Sequence, residues 1–514
     1  MTWKENMERL ISFDVVIAGG GTSGSALAGL LAGEHGLKVC LIEAGPDYGS
    51  LESGDWPPEL LNAATIPDDS HAWGYSGVAH PSQSKPTSFD RARVIGGCSS
   101  HNGCIALLGH YRDYDHWVNV GNPGWAFGSV RPSYLRAMER LRVRQPDDEE
   151  ITPFQAIFLN GAIQSGIPHV EDLNHSGEPR AVAAAPVNIA DGVRWNAALA
   201  YLTEEVRNSG RLMILDNTMV DRILFRNKRP TGVVIHRDGA EQTIKCPRVV
   251  VSAGAYGSPG ILERSGIGDP AILNSLHIEL IHELSGVGES LTDHPAVTLR
   301  YRGSDELNQE MSALRASGWC PDEQVLAKAV SSQCEDAFDL HIYAVSGFDE
   351  DAGTWEYSIY VSSVFPTSRG SVHIASPDPA DPPVIDHGFL SNPDEHDLAV
   401  LLDGVRQARR IMQPAIDAGL LVEEQSPGAD VDTADKLRAF IENNVGIYYH
   451  PASSCRMGPS TSETSVVDSL GRVHGMHDLR VCDTSVFPVL MRANTNLPAV
   501  MVAEHLAPSI AAGR

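Results

Sequence analysis

A cluster of glycines between two apolar runs dominates the amino-terminal sequence. The segment FDVVIAGGGTSGSALAGLLAGEHGLKVCLIEAG contains a GxGxxG pattern from Gly19 to Gly24. Phe13 to Ala18 and Lys38 to Ile42 have the β-branched, turn-bounded character of buried parallel strands. The small residues from Ser25 to Ala32 suit a helix that packs closely on those strands. The segment therefore predicts a strand–turn–helix–strand unit of a parallel α/β sheet.

The same pattern predicts what this unit binds. Glycines at a strand-to-helix turn let a pyrophosphate approach the helix N-terminus. Glu43 ends the second strand, 19 positions after Gly24, where an acidic side chain suits a ribose hydroxyl. We therefore predict a dinucleotide site. A purely structural turn is the alternative, and this element alone does not separate NAD from FAD.

The length and charge of the chain limit the number of domains and the kinds of binding partner that we expect. A chain of 514 residues exceeds what one hydrophobic core usually supports, which favours two domains. With 39 basic and 66 acidic side chains, the net charge is −27. This excess repels phosphate backbones, so we expect no nucleic-acid partner, and it mildly favours cationic small molecules. No heptad or repeat indicates an oligomeric state.

The amino end and the cysteines predict a cytoplasmic protein. The first apolar run breaks at glycines before it reaches the length of a secretory signal core. No segment approaches the roughly 18 apolar residues of a membrane span, so we expect no membrane partner. The eight cysteines form no CxxC pair, and we expect reduced thiols and no metal.

Five further segments carry a resemblance that spans the chain. They are RARVIGGCSSHNGCIALLGHYRDYDHW, VVVSAGAYGSPGILERSGIG, GVGESLTDHP, YYHPASSCRMG and LRVCDTSVFPVLMRANTNLPAVMVAEHLAPSI. Together with the amino end, they resemble the glucose–methanol–choline (GMC) oxidoreductases. The resemblance implies FAD rather than NAD, and oxidation of an alcohol. It also implies an α/β fold with a discontinuous, Rossmann-like FAD-binding domain and an α+β substrate domain that contains an antiparallel sheet. The corresponding ranges are 1–149, 188–293 and 448–514 for the first domain, and 150–187 and 294–447 for the second.

The second domain matches the family less well, and only local patterns describe it. Alternation of apolar and polar residues from Ser358 to Val364 predicts a strand. Apolar positions at three- and four-residue spacing from His396 to Met412 predict a helix that packs on the core.

One flavin contact follows from the segment GGCSSHNGC, where small residues indicate close approach of the backbone to a ligand. His101 is the bulky, reactive side chain there, and the segment is most similar to that of choline oxidase, whose equivalent histidine is bonded to the flavin 8α-methyl carbon. The resemblance thus makes His101 a candidate for a covalent flavin link. A histidine that only hydrogen-bonds near the flavin is the alternative. The full set of expected FAD contacts is Gly19, Gly21, Thr22, Ser23, Gly24, Glu43, Ala44, Arg93, Gly96, Gly97, Ser100, His101, Asn102, Gly103, Val220, Ala253, Asp483 and Asn494.

The catalytic pair lies near the carboxyl end. An alcohol gives up hydride only when its hydroxyl proton has an acceptor, so a base must stand beside the flavin. The resemblance implies that His450 is this base and that Asn494, 44 positions later, holds the substrate oxygen. Asn496 is a competing choice because it is chemically identical. Alternatively, Asn494 caps the last helix.

The expected reaction is transfer of hydride from a primary alcohol to flavin N5. It gives an aldehyde and, when O₂ reoxidises the flavin, hydrogen peroxide. A dehydrogenase that passes electrons to a quinone or another acceptor is the first alternative. A hydroxynitrile lyase and a non-catalytic flavin-binding module are the others.

The sequence constrains the substrate least. Trp73 and Tyr75 are candidates for an aromatic wall, or for a surface-loop anchor. Glu310 falls near the position where choline oxidase holds its cation with a glutamate and aromatic rings. The aromatic-rich stretch that should follow is missing, and Gly103 stands where choline oxidase has a serine. Both departures argue against choline as the substrate.

Overall fold

The computed structural model describes residues 13–67, 70–175 and 177–513. Its parallel sheet contains strands from both ends of the chain. In spatial order these are Leu479–Val481, Val249–Val251, Val15–Ala18, Val39–Ile42 and Leu212–Leu215. The two predicted strands are buried along their whole length, as expected for a sheet covered on both faces. Pairing of the last strand with Val249–Val251 returns the carboxyl end to the amino-terminal unit.

The glycine turn leads into the predicted helix. This helix spans Thr22–Gly29, three residues earlier than its predicted start, and continues as a π-helical turn over Leu30–Glu34. A Cβ atom on Gly24 would overlap with the carbonyl oxygen of Gly19. The turn can therefore be this tight only because Gly24 has no side chain.

A large antiparallel sheet forms the second layer. Its strands, in spatial order, are Leu421–Ser426, Pro295–Gly303, Thr354–Ser363, Leu340–Asp349, Glu323–Ala329 and Ala181–Ala184, with Gly446–Ile447 also paired to Pro295–Gly303. The strand predicted around Ser358 belongs to this sheet. The predicted amphipathic helix spans His396–Asp417 and packs against it, burying Leu401 and Val405.

Smaller elements complete the fold. Further antiparallel sheets pair Met219–Arg226, Arg229–Arg237 and Ala240–Lys245; Glu289–Leu291, Gly370–His373 and Val384–Asp386; Ser76–Gly77 and Thr87–Ser88; and Ile189–Ala190 and Val193–Arg194. Ile267–Gly268 and His282–Glu283 form a short parallel pair. The remaining α-helices are Pro58–Leu61, Tyr111–Asn119, Phe127–Arg140, Pro153–Gln164, Ala197–Tyr201, Glu204–Asn208, Gly254–Arg264, Pro270–Ser275, Asp305–Ser317, Ala434–Asn444 and Asn496–Ala511. The predicted α/β class with an additional antiparallel sheet is confirmed.

The last helix fixes the position of the carboxyl-terminal loop. Asn496–Ala511 packs against both Thr22–Gly29 and Phe127–Arg140 and is buried along most of its length. This packing holds the preceding loop at the end of the parallel sheet, next to the glycine turn. Across the described ranges, no helix is both long and apolar enough to cross a membrane. All eight cysteines are free thiols.

Candidate active site

A cavity of about 700 Å³ is lined by residues of both large sheets. It brings together most of the residues that the sequence predicts at the site. Those that line it are Gly19, Gly21, Thr22, Ser23, Glu43, Ala44, Trp73, Tyr75, Gly97, His101, Asn102, Gly103, Val220, Ala253, Asp483, His450 and Asn494. Segments far apart in the sequence thus converge on one space.

Four predicted contacts lie behind this lining rather than in it. Gly24 packs on Gly19, as described above. The backbone N–H of Gly96 donates to the carbonyl oxygen of Gly20, 2.8 Å away. The Ser100 hydroxyl donates to the carbonyl of Ile95, and the Arg93 guanidinium donates to the carbonyl of Ala44. These residues shape the walls of the cavity, and the structure gives them no direct place in it.

Glu43 lines the cavity, but its carboxylate is already engaged. One oxygen accepts the backbone N–H of Gly20 and the other that of Gly45, each at 2.8 Å. Burial raises the pKa of Glu43 to about 7, and these two hydrogen bonds oppose the rise. The carboxylate therefore stabilises the glycine turn as well as facing the space predicted for a ribose.

The cavity fits a flavin dinucleotide. Gly97 has a φ of +54°, and a Cβ atom there would lie 2.7 Å from the Cα atom of Gly21, so bare backbone from two loops meets at the wall. Oδ1 of Asn494 and both amide atoms of Asn496 are buried and have no hydrogen-bond partner in the described part of the chain. Unfilled polar atoms in a large cavity indicate a ligand that completes them.

His101 lines the cavity and is half-buried. Burial and the nearby guanidinium groups of Arg91 and Arg194 lower its pKa to about 3. The imidazole is therefore neutral at physiological pH, which is the form that can act as a nucleophile.

His450 is held by a second histidine and by a carboxylate. Its Nδ1 atom lies 3.0 Å from Nδ1 of His294. Oδ1 of Asp293 accepts the backbone N–H of His450 at 3.0 Å and that of His294 at 2.7 Å. Antiparallel hydrogen bonds between Thr292 and Ala452 bring the two segments side by side. The remaining ring nitrogen of His450, Nε2, is left for a ligand in the cavity.

A third buried imidazole, that of His341, lies near His294 and His450. His341 is buried, and neither of its ring nitrogens has a partner in the described residues. Burial lowers the pKa of His450 well below 6.5, and His294 and His341 lower it further. Burial also lowers the pKa of His294, to about 3. The imidazole of His450 is therefore neutral at physiological pH.

The structure distinguishes between the roles suggested for Asn494. The last helix begins at Asn496, and Thr495 at its N-cap position makes no side-chain capping bond. Asn494 therefore does not cap the helix. Its side chain lies beside the hydroxyl of Tyr448, whose ring is 4.4 Å from that of His450. Asn496 also lines the cavity, so both amides face the same space.

The antiparallel sheet supplies a wall that the sequence reasoning missed. Tyr343 and Val345 point to the same face of their strand because side chains alternate. Tyr360 is paired with Tyr343, and Glu323 with Val345, on the neighbouring strands. All four line the cavity. The register of three strands brings them together, and no local sequence pattern reports this register.

Two of the expected substrate contacts reach the cavity and one does not. Trp73 and Tyr75 line it, with stacked rings 5.7 Å apart. Glu310, by contrast, is exposed on the helix Asp305–Ser317, outside the cavity lining. This helix buries Leu307 and Met311, whereas Glu310 is exposed to solvent. The structure therefore does not bring Glu310 to the cavity with the other expected contacts.

Comparison with known proteins agrees with this geometry. Family models described as GMC oxidoreductase match residues 13–296 and 366–503. An oxygen-dependent choline dehydrogenase of Pseudomonas savastanoi pv. phaseolicola is 32% identical over 97% of this chain and 93% of its own. The crystal structure of pyridoxine 4-oxidase from "Mesorbium loti" has a TM-score of 0.86 at 26% identity, covering 97% of this chain and 99% of that one. A formate oxidase structure has a TM-score of 0.84 at 21% identity, with 98% of both chains covered.

Proposed function

The chain belongs to the GMC oxidoreductase family and depends on FAD, and from this premise we propose that it is an oxidase of primary alcohols. The products are an aldehyde and, with O₂ as the electron acceptor, hydrogen peroxide. One observation carries the proposal: a neutral, desolvated His450 presents a free ring nitrogen to a cavity that Asn494 also lines, with its Oδ1 atom buried and without a partner in the described residues.

We assign the two halves of the site to two domains. Residues 1–149, 188–293 and 448–514 form the FAD-binding domain, and residues 150–187 and 294–447 form the substrate domain. The parallel sheet and the glycine turn belong to the first, which supports this division. The antiparallel sheet, with its tyrosines and Glu323, belongs to the second.

FAD, when bound, supplies the two-electron acceptor for the hydride of the carbinol carbon. The chain's own residues prepare the alcohol. Nε2 of His450 accepts the hydroxyl proton, while the Asn494 amide donates a hydrogen bond to the oxygen as negative charge develops on it. For this, His450 must carry its own proton on Nδ1 and donate it to Nδ1 of His294. Asp293 fixes both backbones and so keeps this pair aligned.

His101 is the proposed site of a covalent flavin link. Its neutral ring and its place on the cavity wall support this assignment. Asn102, Gly103 and Gly97 surround it with little side-chain bulk, which lets a flat ring system come close.

The acceptor O₂ is supported by the names of the relatives, an oxygen-dependent dehydrogenase and an oxidase. The test is to mix the purified holoenzyme with a panel of primary alcohols and to measure oxygen consumption, peroxide and aldehyde. We expect equal amounts of peroxide and aldehyde. Bleaching of the flavin by an alcohol without oxygen uptake would instead identify a dehydrogenase, and no bleaching by any alcohol would overturn the proposal.

A further inference from the structure

We propose that Glu323 binds a protonated nitrogen of the substrate, so that the enzyme selects primary alcohols that carry a basic nitrogen. This inference deepens the proposed function and rests on it. Glu323 lies at the start of the strand Glu323–Ala329, on the part of the cavity wall that the antiparallel sheet contributes.

Glu323 is a carboxyl group without a partner. It lines the cavity and is otherwise enclosed by protein. No hydrogen bond or ion pair reaches its side chain from the described residues. An enclosed carboxylate is costly unless a hydrogen bond or an opposite charge compensates it. A ligand in the cavity is the available source of that compensation.

The nearest protein cation does not provide it. Arg194 is fully buried and lies close enough to influence Glu323 electrostatically. Its guanidinium nitrogens, however, donate to backbone carbonyl oxygens: those of Leu60, Asn62, Thr65 and Asn102. These hydrogen bonds hold the arginine in the wall, away from ion-pair distance to the carboxylate.

The neighbouring groups increase the negative charge at this wall. Asp322 precedes Glu323 and also lines the cavity. Burial raises the pKa of Glu323 to about 7, and the charge of Asp322 raises it further. A bound cation lowers this pKa again, because it favours the ionised carboxylate. The site is thus complementary to a positive charge and not to a second anion.

Aromatic rings connect Glu323 to the catalytic pair. Tyr343 stacks on Tyr360 at 5.1 Å and on Tyr448 at 5.3 Å. Glu323 acts electrostatically on all three hydroxyls, and that of Tyr448 lies beside Asn494. A ring or short chain with its nitrogen at Glu323 can therefore lie along these tyrosines, with its carbinol towards His450. Tyrosine faces also attract cations.

Gly103 makes room for the carboxylate. A Cβ atom on this residue would overlap with Oε1 of Glu323. The carboxylate of Glu323 can therefore occupy this position only because residue 103 has no side chain. This contact accounts for the glycine at the position where choline oxidase has a serine.

The test compares alcohols that differ only in the nitrogen. The pairs are the three pyridinemethanols against benzyl alcohol, and 4-(aminomethyl)benzyl alcohol against 4-ethylbenzyl alcohol. For the native holoenzyme we expect kcat/KM to be at least about tenfold higher for the best nitrogen-bearing member. Glu323→Gln keeps the shape and removes the charge, so this ratio should fall to about threefold or less. Glu310→Gln, the same change at an exposed position, is the matched control and should keep the native ratio.

A binding measurement separates this inference from the proposed oxidation. Benzylamine and anisole carry no carbinol, and each can be titrated while the flavin absorbance is followed. We expect benzylamine to bind native holoenzyme at least about tenfold more tightly than anisole, and this preference to be lost in Glu323→Gln. This outcome supports the site even if no alcohol is oxidised. Equal binding of the two, or an unchanged preference in Glu323→Gln, overturns the inference even if the enzyme is an oxidase. If Glu323→Gln does not bind flavin, Glu323→Ala, which removes the carboxylate, is measured in its place with the same expectation.

Discussion

The imidazoles of His294 and His450 meet through their Nδ1 atoms, 3.0 Å apart. Two such atoms can share only one proton, so the state of one ring decides the state of the other. If His294 accepts, His450 is protonated on Nδ1, and its Nε2 atom is free to take a proton from an alcohol. The contact is thus the physical basis for treating His450 as a base.

Replacing His450 by alanine removes the proposed proton acceptor. We expect the rate of flavin reduction by a primary alcohol to fall by about 10²-fold or more, because the alcohol must then lose its proton to water. Anaerobic stopped-flow absorbance measures this rate directly. An unchanged rate would remove His450 from the mechanism.

His294 acts through His450 and is a positioning residue. His294→Ala removes the acceptor for the Nδ1 proton, and we expect kcat to fall about tenfold with a smaller change in KM. His294→Asn places an amide where Nδ1 lies and should recover most of the loss. A purely structural role predicts equal damage from both variants and a matching loss of thermal stability, which melting of the two proteins can detect.

Asn494 and Asn496 make a natural comparison because both line the cavity with unfilled amide atoms. Removing a donor to a developing oxyanion typically costs about 10²–10³-fold in kcat. We expect a loss of that order in Asn494→Ala and a clearly smaller one in Asn496→Ala. Steady-state kinetics with the same alcohol decide the assignment, and the reverse order would transfer the role to Asn496.

A covalent link between His101 and the flavin would determine the colour of the denatured protein. If the flavin is linked to this imidazole, acid precipitation should leave the yellow colour on the polypeptide, and His101→Ala should release it. The mass of the intact chain provides the second readout, since it increases by one flavin dinucleotide. A native pellet that washes colourless limits His101 to non-covalent contact.

The pH dependence should differ between charged and neutral substrates. Burial raises the pKa of Glu323 to about 7, so its carboxyl group is largely neutral below that pH and charged above it. Asp322, Arg194 and the tyrosine hydroxyls at positions 343, 360 and 448 face it.

We therefore expect the ratio of kcat/KM for 4-(aminomethyl)benzyl alcohol to that for 4-ethylbenzyl alcohol to rise between about pH 6 and pH 8. The amine stays protonated across this range. His450, with its pKa well below 6.5, and Asp293, with a pKa of about 7, affect both substrates alike and cancel in the ratio. A flat ratio in native enzyme, or the same rise in Glu323→Gln, would contradict the assignment.

Much of the nucleotide end could be predicted because its signals are local. The turn from Gly19 to Gly24, its flanking strands and Glu43 lie in one short segment, where spacing alone defines the geometry. The strand around Ser358 and the helix from His396 follow from periodicity for the same reason. His450 and Asn494 were identified through a family resemblance, and they do line one cavity.

The substrate wall could not be predicted in this way. Counting along the chain led to Glu310, which is exposed on a helix outside the cavity, while Glu323 reaches the cavity through pairing with Val345. The contact between His294 and His450 joins residues 156 positions apart. Local sequence thus determined the glycine turn, its strands and the family of the chain, because adjacent residues set backbone conformation. Only the tertiary structure decided which carboxylate and which imidazoles line the cavity, because strand register and packing bring distant side chains together, and no short stretch of sequence encodes them.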